Sequence, residues 1–308
     1  MRILFVGSKG LGYRALRLLH EQGADICGVV ARWDDLDKQW YPSVASLARE
    51  LNLPLMMPEQ INDAEVVGQI AALQPDIMLT AFYPKIYKKD LLSIPPLGSV
   101  NMHFAPLPRY RGSYPGAWAI INGETSHGVT MHYMKPGVDN GEIIGQITVP
   151  IEENDSGQDL YNRCEEYGIQ LLKETWPALL AGTAGRIPQD ESRKLYHNRD
   201  YPYGGVVNFS WSVKEVCNYV RALYFPPFRG PFTFVNGKKL YVDKVVSSAN
   251  RDIYGTCGLC NIRDNEIEVK VRDGWVKLIT CSDEKAQQVS VAQLIDDYKV
   301  SQDTIFGR

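Results

Sequence analysis

The sequence predicts an α/β fold: a Rossmann-like, doubly wound and mostly parallel sheet, followed by a smaller β-rich domain. Three observations lead there. Apolar runs alternate with stretches of helical period through residues 1–180. Those runs are apolar at nearly every position, as strands covered on both faces of a parallel sheet must be. Beyond residue 230 the chain changes to short strands around Asn-Gly and Asp-Gly pairs, which signal hairpins. The predicted division is residues 1–205 as the larger, Rossmann-like domain and 206–308 as the small domain.

Residues 2–7 are an apolar strand ending at Gly7, and Leu16, Leu18 and Leu19 follow at helical spacing. A second strand covers 26–31. Val44, Leu47 and Leu51 mark a helix within 41–51, and 53–56 a third strand. Val66, Ile70 and Leu73 mark another helix before a strand at 76–81. Pro106, Pro108 and Gly112 argue against helix or strand across 105–115. An irregular stretch of that length in a compact domain is more often functional than idle. A short helix at 117–121 stops at Asn122-Gly123, strands follow at 127–134 and 141–151, and 159–180 is a long helix. Further on, 211–224 is helical. Strands at 232–235 and 240–245 flank Asn236-Gly237, and strands at 266–271 and 275–280 flank Asp273-Gly274. Together these suit a small OB-like barrel.

Composition narrows the function. Hydrophobic residues at 44% and charged residues at 22% are those of a soluble globular chain. A net charge of -3 argues against wholesale nucleic-acid binding, which needs a basic footprint. No apolar run approaches ~20 residues and no signal peptide opens the chain, so it reads as cytoplasmic with reduced thiols. Of the cysteines only Cys257 and Cys260 have C-x-x-C spacing, and no second ligand pair follows them, so no metal site is expected. Gly7, Gly10 and Gly12 stand in the order G-x-x-G-x-G instead of the dinucleotide G-x-G-x-x-G. Arg32 precedes Asp34 and Asp35 where an acidic ribose partner would be expected. A dinucleotide-binding oxidoreductase therefore stays as an alternative of another class.

The working centre lies between residues 101 and 141. Asn101 and His103, two apart on an extended segment, face the same way, and Asp139 sits in a loop beyond the 127–134 strand. Amide, imidazole and carboxylate are thus available at strand ends, where open α/β sheets form sites. The full run is Asn101-x-His103-x-x-x-Leu107-Pro108-x-Tyr110-Arg111-Gly112-x-x-Pro115, then His127-Gly128-Val129-Thr130 and Asp139-x-Gly141. In order and spacing it resembles the formyltransferase family that uses N10-formyltetrahydrofolate, collinearly over residues 1–180. One departure is visible: Ala105-Pro106-Leu107 stands where many members carry Ser-Leu-Leu.

The chemistry gives each residue type a reason. Formyl transfer to an amine passes through a tetrahedral intermediate bearing an oxyanion, which aimed hydrogen-bond donors stabilise. The Asn101 amide and a protonated His103 can supply them, and His103 can shuttle the amine's proton near neutral pH. Asp139 would hold the imidazole and raise its pKa. Neither metal nor covalent nucleophile is required. His20, His127, His132 and His197 read as structural or surface groups, although His132, on a central strand, can line the site.

The resemblance also implies that the pterin of the formyl donor, released as tetrahydrofolate, lies against the backbone of Lys85, Ile86 and Tyr87. Lys135, Pro136, Gly137 and Val138 would form the other wall. The acceptor is read from the second half. The segment 220–233, Val-Arg-Ala-Leu-Tyr-Phe-Pro-Pro-Phe-Arg-Gly-Pro-Phe-Thr, is similar to that of nucleotide-sugar formyltransferases acting on 4-amino sugars in lipopolysaccharide or O-antigen biosynthesis. Methionyl-tRNA formyltransferases share the core and are the rival. They need a basic loop for the acceptor stem, yet residues 33–42 read Trp-Asp-Asp-Leu-Asp-Lys-Gln-Trp-Tyr-Pro. A nucleotide sugar is therefore the expected acceptor, with neither nucleic acid nor membrane as partner. Arg111, Tyr203, Trp211, Phe228 and Arg229 are its expected binding residues, the aromatics stacking a base and an arginine (Arg229, or Arg199) meeting pyrophosphate. Hydrophobic hairpins at the edge of the small domain suit a homodimer.

Overall fold

The computed structural model describes residues 1–37, 40–250, 252 and 254–307. The chain divides into two compact units, one of residues 1–113, 127–149 and 162–198, the other of 114–126, 150–161 and 199–308.

The first half of the chain runs β1 (Arg2–Gly7), α1 (Lys9–Glu21), β2 (Asp25–Ala31), α2 (Val44–Glu50), β3 (Leu55–Met56), α3 (Ala64–Ala72), β4 (Ile77–Ala81) and α4 (Lys89–Leu92). It continues through β5 (Ser99–His103), β6 (Arg111–Gly112), α5 (Pro115–Ile121), β7 (Ser126–Tyr133), β8 (Ile143–Pro150), α6 (Gly157–Leu180) and β9 (Tyr196–His197). Seven strands form one sheet in the order β3-β2-β1-β4-β5-β7-β8. From β3 to β5 all pairs are parallel, and β7 returns antiparallel to β5. The order reverses between β1 and β4, the doubly wound pattern whose ligands lie beyond the carboxyl ends of the strands. Continuous apolar runs have the expected consequence: from Ile3 to Val6 and from Ile77 to Leu79 hardly any surface is exposed.

Glycine lets α1 approach its neighbours closely. A Cβ on Gly12 would stand 3.1 Å from the Ala81 carbonyl, and one on Gly10 would collide with the Glu165 carboxylate. That carboxylate accepts the Leu11 N–H at 3.0 Å. The helix N-terminus, where a dinucleotide pyrophosphate would lie, thus already carries the chain's own anion.

Within the stretch 33–42, Asp34 and Asp35 are bound into the fold. Arg32 holds Asp34 through two 2.8 Å bonds, and buried Asp35 caps α2 by accepting from Ser43 (2.6 Å) and the Ala45 N–H (2.9 Å). Lys38 and Gln39 of this stretch lie outside the described residues.

The second unit carries α7 (Val213–Leu223), β10 (Phe232–Val235), β11 (Lys238–Ser247), β12 (Cys260–Arg263), β13 (Glu266–Val271), β14 (Gly274–Ser282) and α8 (Val291–Asp296). Its antiparallel sheet has the order β10-β11-β14-β13-β12, a half-barrel with Val216, Tyr219, Val220 and Leu223 of α7 in its core. Ser212 and Glu215 cap α7 reciprocally.

Four features depart from the sequence-based expectation. Residues 111–112 form a short strand paired with β9, and α5 starts at Pro115 because proline's fixed φ suits a first helical turn. A further hairpin joins β12 to β13 through Asp264 and Asn265 (φ 51° and 60°), which take left-handed conformations without glycine. The helix α8 carried too short a period to be read. Cys260 lies buried on β12 and Cys257 in the turn before it; both are free thiols. Among the described residues no helix is long and apolar enough to cross a membrane.

Candidate active site

Asn101 lies on β5, flanked by Thr80 of β4 and His132 of β7. The cross-strand register brings Asn101 Nδ2 within 3.2 Å of His132 Nε2. On the other side of the ring, Nδ1 is 2.8 Å from the Tyr133 carbonyl, so Nδ1 must be the donor. A neutral ring then has an Nε2 lone pair, which accepts from the Asn101 amide. Burial enforces this state: it drives the His132 pKa down to about 4, outweighing the opposing pull of the Asp139 carboxylate 3.7 Å away. The orientation of the Asn101 amide follows, with one Nδ2–H on His132 and a second left for a ligand.

His103 ends β5. Its Nε2 is 3.0 Å from the Tyr110 carbonyl and 3.5 Å from Asp139 Oδ2, both acceptors, so this nitrogen carries a proton. The other nitrogen, Nδ1, is the one available for proton transfer. Asp139 stands in a left-handed conformation (φ 47°) after Gly137 (φ 119°) and receives the Gly112 N–H on Oδ2 at 2.9 Å. The structure thus brings the three predicted groups together and adds His132 to them.

The surrounding motif is a set of braces for the 104–112 loop. His127 lies 2.7 Å from the Phe104 carbonyl, and Thr130 donates to Ala105 O (2.6 Å) while accepting from the Leu107 N–H (3.2 Å). Gly128 leaves room for Pro106, 3.1 Å from where a Cβ would stand. Gln146 binds both Thr130 Oγ1 (2.7 Å) and Leu107 O (3.0 Å). Buried Tyr110 stacks on His197 with centroids 5.9 Å apart. A Cβ on Gly112 would run into the His197 carbonyl, and its φ of 94° favours glycine independently.

The two segments expected to face a pterin rest on one hydrophobic cluster, through Tyr87 on one side and Met134 on the other. Tyr87 is buried, its hydroxyl 3.2 Å from Thr80 Oγ1, so that residue can offer a ligand only its backbone. Ile86 is exposed, as are Lys135, Pro136 and Gly137. An apolar side chain beside open backbone fits a flat heteroaromatic group.

The residues expected at the acceptor fare differently. Arg111 is buried and already donates to Gln189 (3.1 and 2.7 Å) and Glu191 (3.2 and 2.6 Å). Arg229 donates to the carbonyls of Asp283 (2.9 Å) and Glu284 (2.6 Å) and lies over the Tyr241 ring. Both guanidinium groups serve the fold, because their donors are directed at protein acceptors. Trp211 is half-buried, packed edge-on to Tyr203 and Tyr219. Tyr203 and Phe228 expose more than half their surface.

Sequence reasoning placed His132 only as a residue able to line the site, although its cross-strand register with Asn101 is a signal. Gln189, which donates to the Asp139 and Gly141 carbonyls, carries no sequence signal.

Comparison with known proteins identifies the family. Residues 1–175 match the family described as Formyl transferase, and residues 202–299 the one described as Formyl transferase, C-terminal domain. Methionyl-tRNA formyltransferase of Ruminiclostridium cellulolyticum is 31% identical over the full length of both chains. The bifunctional polymyxin resistance protein ArnA of Wigglesworthia glossinidia brevipalpis is 32% identical over 84% of this chain, which spans only 39% of that longer protein. Among solved structures, WlaRD, a sugar 3N-formyl transferase crystallised with dTDP and 5-N-formyl-THF, superimposes with a TM-score of 0.71. It covers 94% of this chain and 97% of its own, at 22% identity.

Proposed function

The chain belongs to the formyl transferase family, and from that premise we propose that it moves a formyl group from N10-formyltetrahydrofolate to the amino group, at C4, of a nucleotide-linked sugar. The single observation carrying this reading is the assembly of Asn101, His103 and Asp139 around one point at the end of β5.

The acceptor arrives as an ammonium ion and must lose a proton before it can attack. His103 Nδ1 takes that proton while Nε2 remains hydrogen-bonded to Tyr110 O and close to Asp139. The amine nitrogen bonds to the formyl carbon, and the carbonyl electron pair moves onto oxygen. That oxyanion is met by the second Asn101 N–H and by His103 Nδ1–H, preorganised donors that need no rearrangement as charge develops. Collapse breaks the bond to N10, which leaves with the electron pair and takes the proton from His103, while the attacking nitrogen, still bearing two hydrogens and a positive charge, releases one proton to solvent. The products are the formamide and tetrahydrofolate. Asp139 offsets the imidazolium charge, and neutral His132 keeps the Asn101 amide turned the right way. The donor's pterin would be held by the backbone of Lys85, Ile86 and Tyr87 and of Lys135, Pro136, Gly137 and Val138.

A sugar acceptor is supported by the charge pattern. Net charge is -3, and Arg32, beside the 33–42 loop, is committed to Asp34. A tRNA acceptor stem requires cations that remain available. The exposed rings of Tyr203 and Phe228 are the second unit's candidates for stacking a base. Methionyl-tRNA is the second reading, favoured by the end-to-end relative of that name.

The test is to incubate the protein with N10-formyltetrahydrofolate and UDP- or dTDP-linked 3-amino and 4-amino sugars, with methionyl-tRNA in parallel. Mass spectrometry should find one formyl group on a 4-amino sugar. Formylation of the tRNA alone would overturn the sugar assignment.

A further inference from the structure

We propose that Gln189 is a positioning residue for Asp139, acting from a segment that lies between the two family matches. The inference rests on the reading of Asn101, His103 and Asp139 as the reacting cluster. Residues 1–175 and 202–299 carry the family resemblance, and Gln189 belongs to neither.

Asp139 is a residue that needs holding. Its φ of 47° is uncommon for any non-glycine residue, and the Gly137 φ of 119° makes the approach to it irregular. Gln189 Nε2 donates to the Asp139 carbonyl at 2.8 Å and to the Gly141 carbonyl at 2.6 Å, bracketing the turn on both sides of Asn140. The amide cannot be reversed. Its Oε1 faces Arg111 Nε (3.1 Å) and Nη2 (2.7 Å), and a guanidinium only donates.

The bonds form a closed circuit. From the Asp139 carbonyl it runs through the Gln189 amide to the Arg111 guanidinium. From the Arg111 backbone it passes to the adjacent Gly112 N–H, and from there back to Asp139 Oδ2 at 2.9 Å. Backbone and carboxylate of one residue are thereby fixed by the same network. Glu191 supports it by taking the remaining face of Arg111 (2.6 and 3.2 Å), and the guanidinium in turn holds the Glu191 carboxyl below its ordinary pKa. The Gln189 segment is itself docked on either side. Ile187 and Ile143 exchange backbone bonds of 2.9 and 2.8 Å, and β9 pairs with β6. Gln189 falls between those two anchors.

The discriminating variant is Gln189→Glu. It keeps an acceptor for Arg111 but turns an oxygen toward the Asp139 and Gly141 carbonyls where two N–H groups had been. Expected are a kcat lower by about 10- to 100-fold with the KM for the formyl donor within about twofold, the signature of lost positioning. Native-state amide exchange, read residue by residue by NMR, should speed up at Gly112 and stay unchanged along β1. Gln189→Ala should reproduce both effects. Wild-type kcat together with wild-type Gly112 exchange in both variants would overturn the proposal, and so would exchange accelerated uniformly across the unit, which marks a merely structural role. Should the wild-type protein formylate no acceptor, the functional reading fails separately, and Gly112 exchange alone decides the role of Gln189.

Discussion

Lowering the pH from 7 to 5 is a perturbation that His132 should register. In an unfolded chain a histidine takes up its proton near ~6.5. In the folded protein His132 resists protonation down to about 4, because desolvation outweighs the attraction of Asp139, and nearby His103 and Arg111 oppose the charge further. Between those two values the unfolded chain binds a proton that the native state does not. Stability therefore falls as the pH falls, by about 1.4 kcal/mol per unit, and the slope vanishes above the unfolded value. The loss due to His132 is roughly 2 kcal/mol at pH 5. Other groups contribute to acid destabilisation, so the informative quantity is a difference between two proteins. His132→Gln offers Asn101 an amide oxygen in place of Nε2 and does not titrate. Urea unfolding at pH 7 and pH 5 should show a smaller acid loss in this variant, by roughly 2 kcal/mol. Ring-nitrogen NMR on the wild type should find neutral His132 with its proton on Nδ1 throughout that range. An imidazolium at pH 6, or equal acid losses in the two proteins, would refute the reasoning.

Three further outcomes are expected. Asp139→Asn keeps an acceptor for the Gly112 N–H but removes the charge beside His103, so kcat should drop at least about a hundredfold with unchanged circular dichroism; a near-normal rate would remove Asp139 from the mechanism. His103→Ala should abolish turnover in a folded protein, and added imidazole restoring part of the rate would identify the lost group as the proton carrier. Gly112→Ala forces a Cβ against the His197 carbonyl at a φ of 94° and should cost more than about 1 kcal/mol, visible as a lower melting temperature.

Much was determined by the sequence alone. Short apolar runs with no alternation, set between stretches of helical period, read as strands covered on both faces, which is why β1, β2 and β4 were legible to within a residue. Glycine and asparagine at left-handed positions announced the β10–β11 hairpin. The family was legible because Asn101, His103 and Asp139 stand in an ordered run whose spacing resembles that family's. Elsewhere the sequence fell short wherever the deciding interaction was long-range. A capping carboxylate 154 residues away occupies the α1 N-terminus, and no local pattern reports it. Arg111 and Arg229 read as ligand-binding cations because a free guanidinium and a committed one have the same letter. Only tertiary structure showed that protein acceptors already take their donors. The tautomer of His132, the proton on His103 Nε2 and the hold of Gln189 on Asp139 are likewise properties of packed neighbours. A one-dimensional pattern records which groups are present, while burial and partner geometry decide where each proton resides and which way each amide faces.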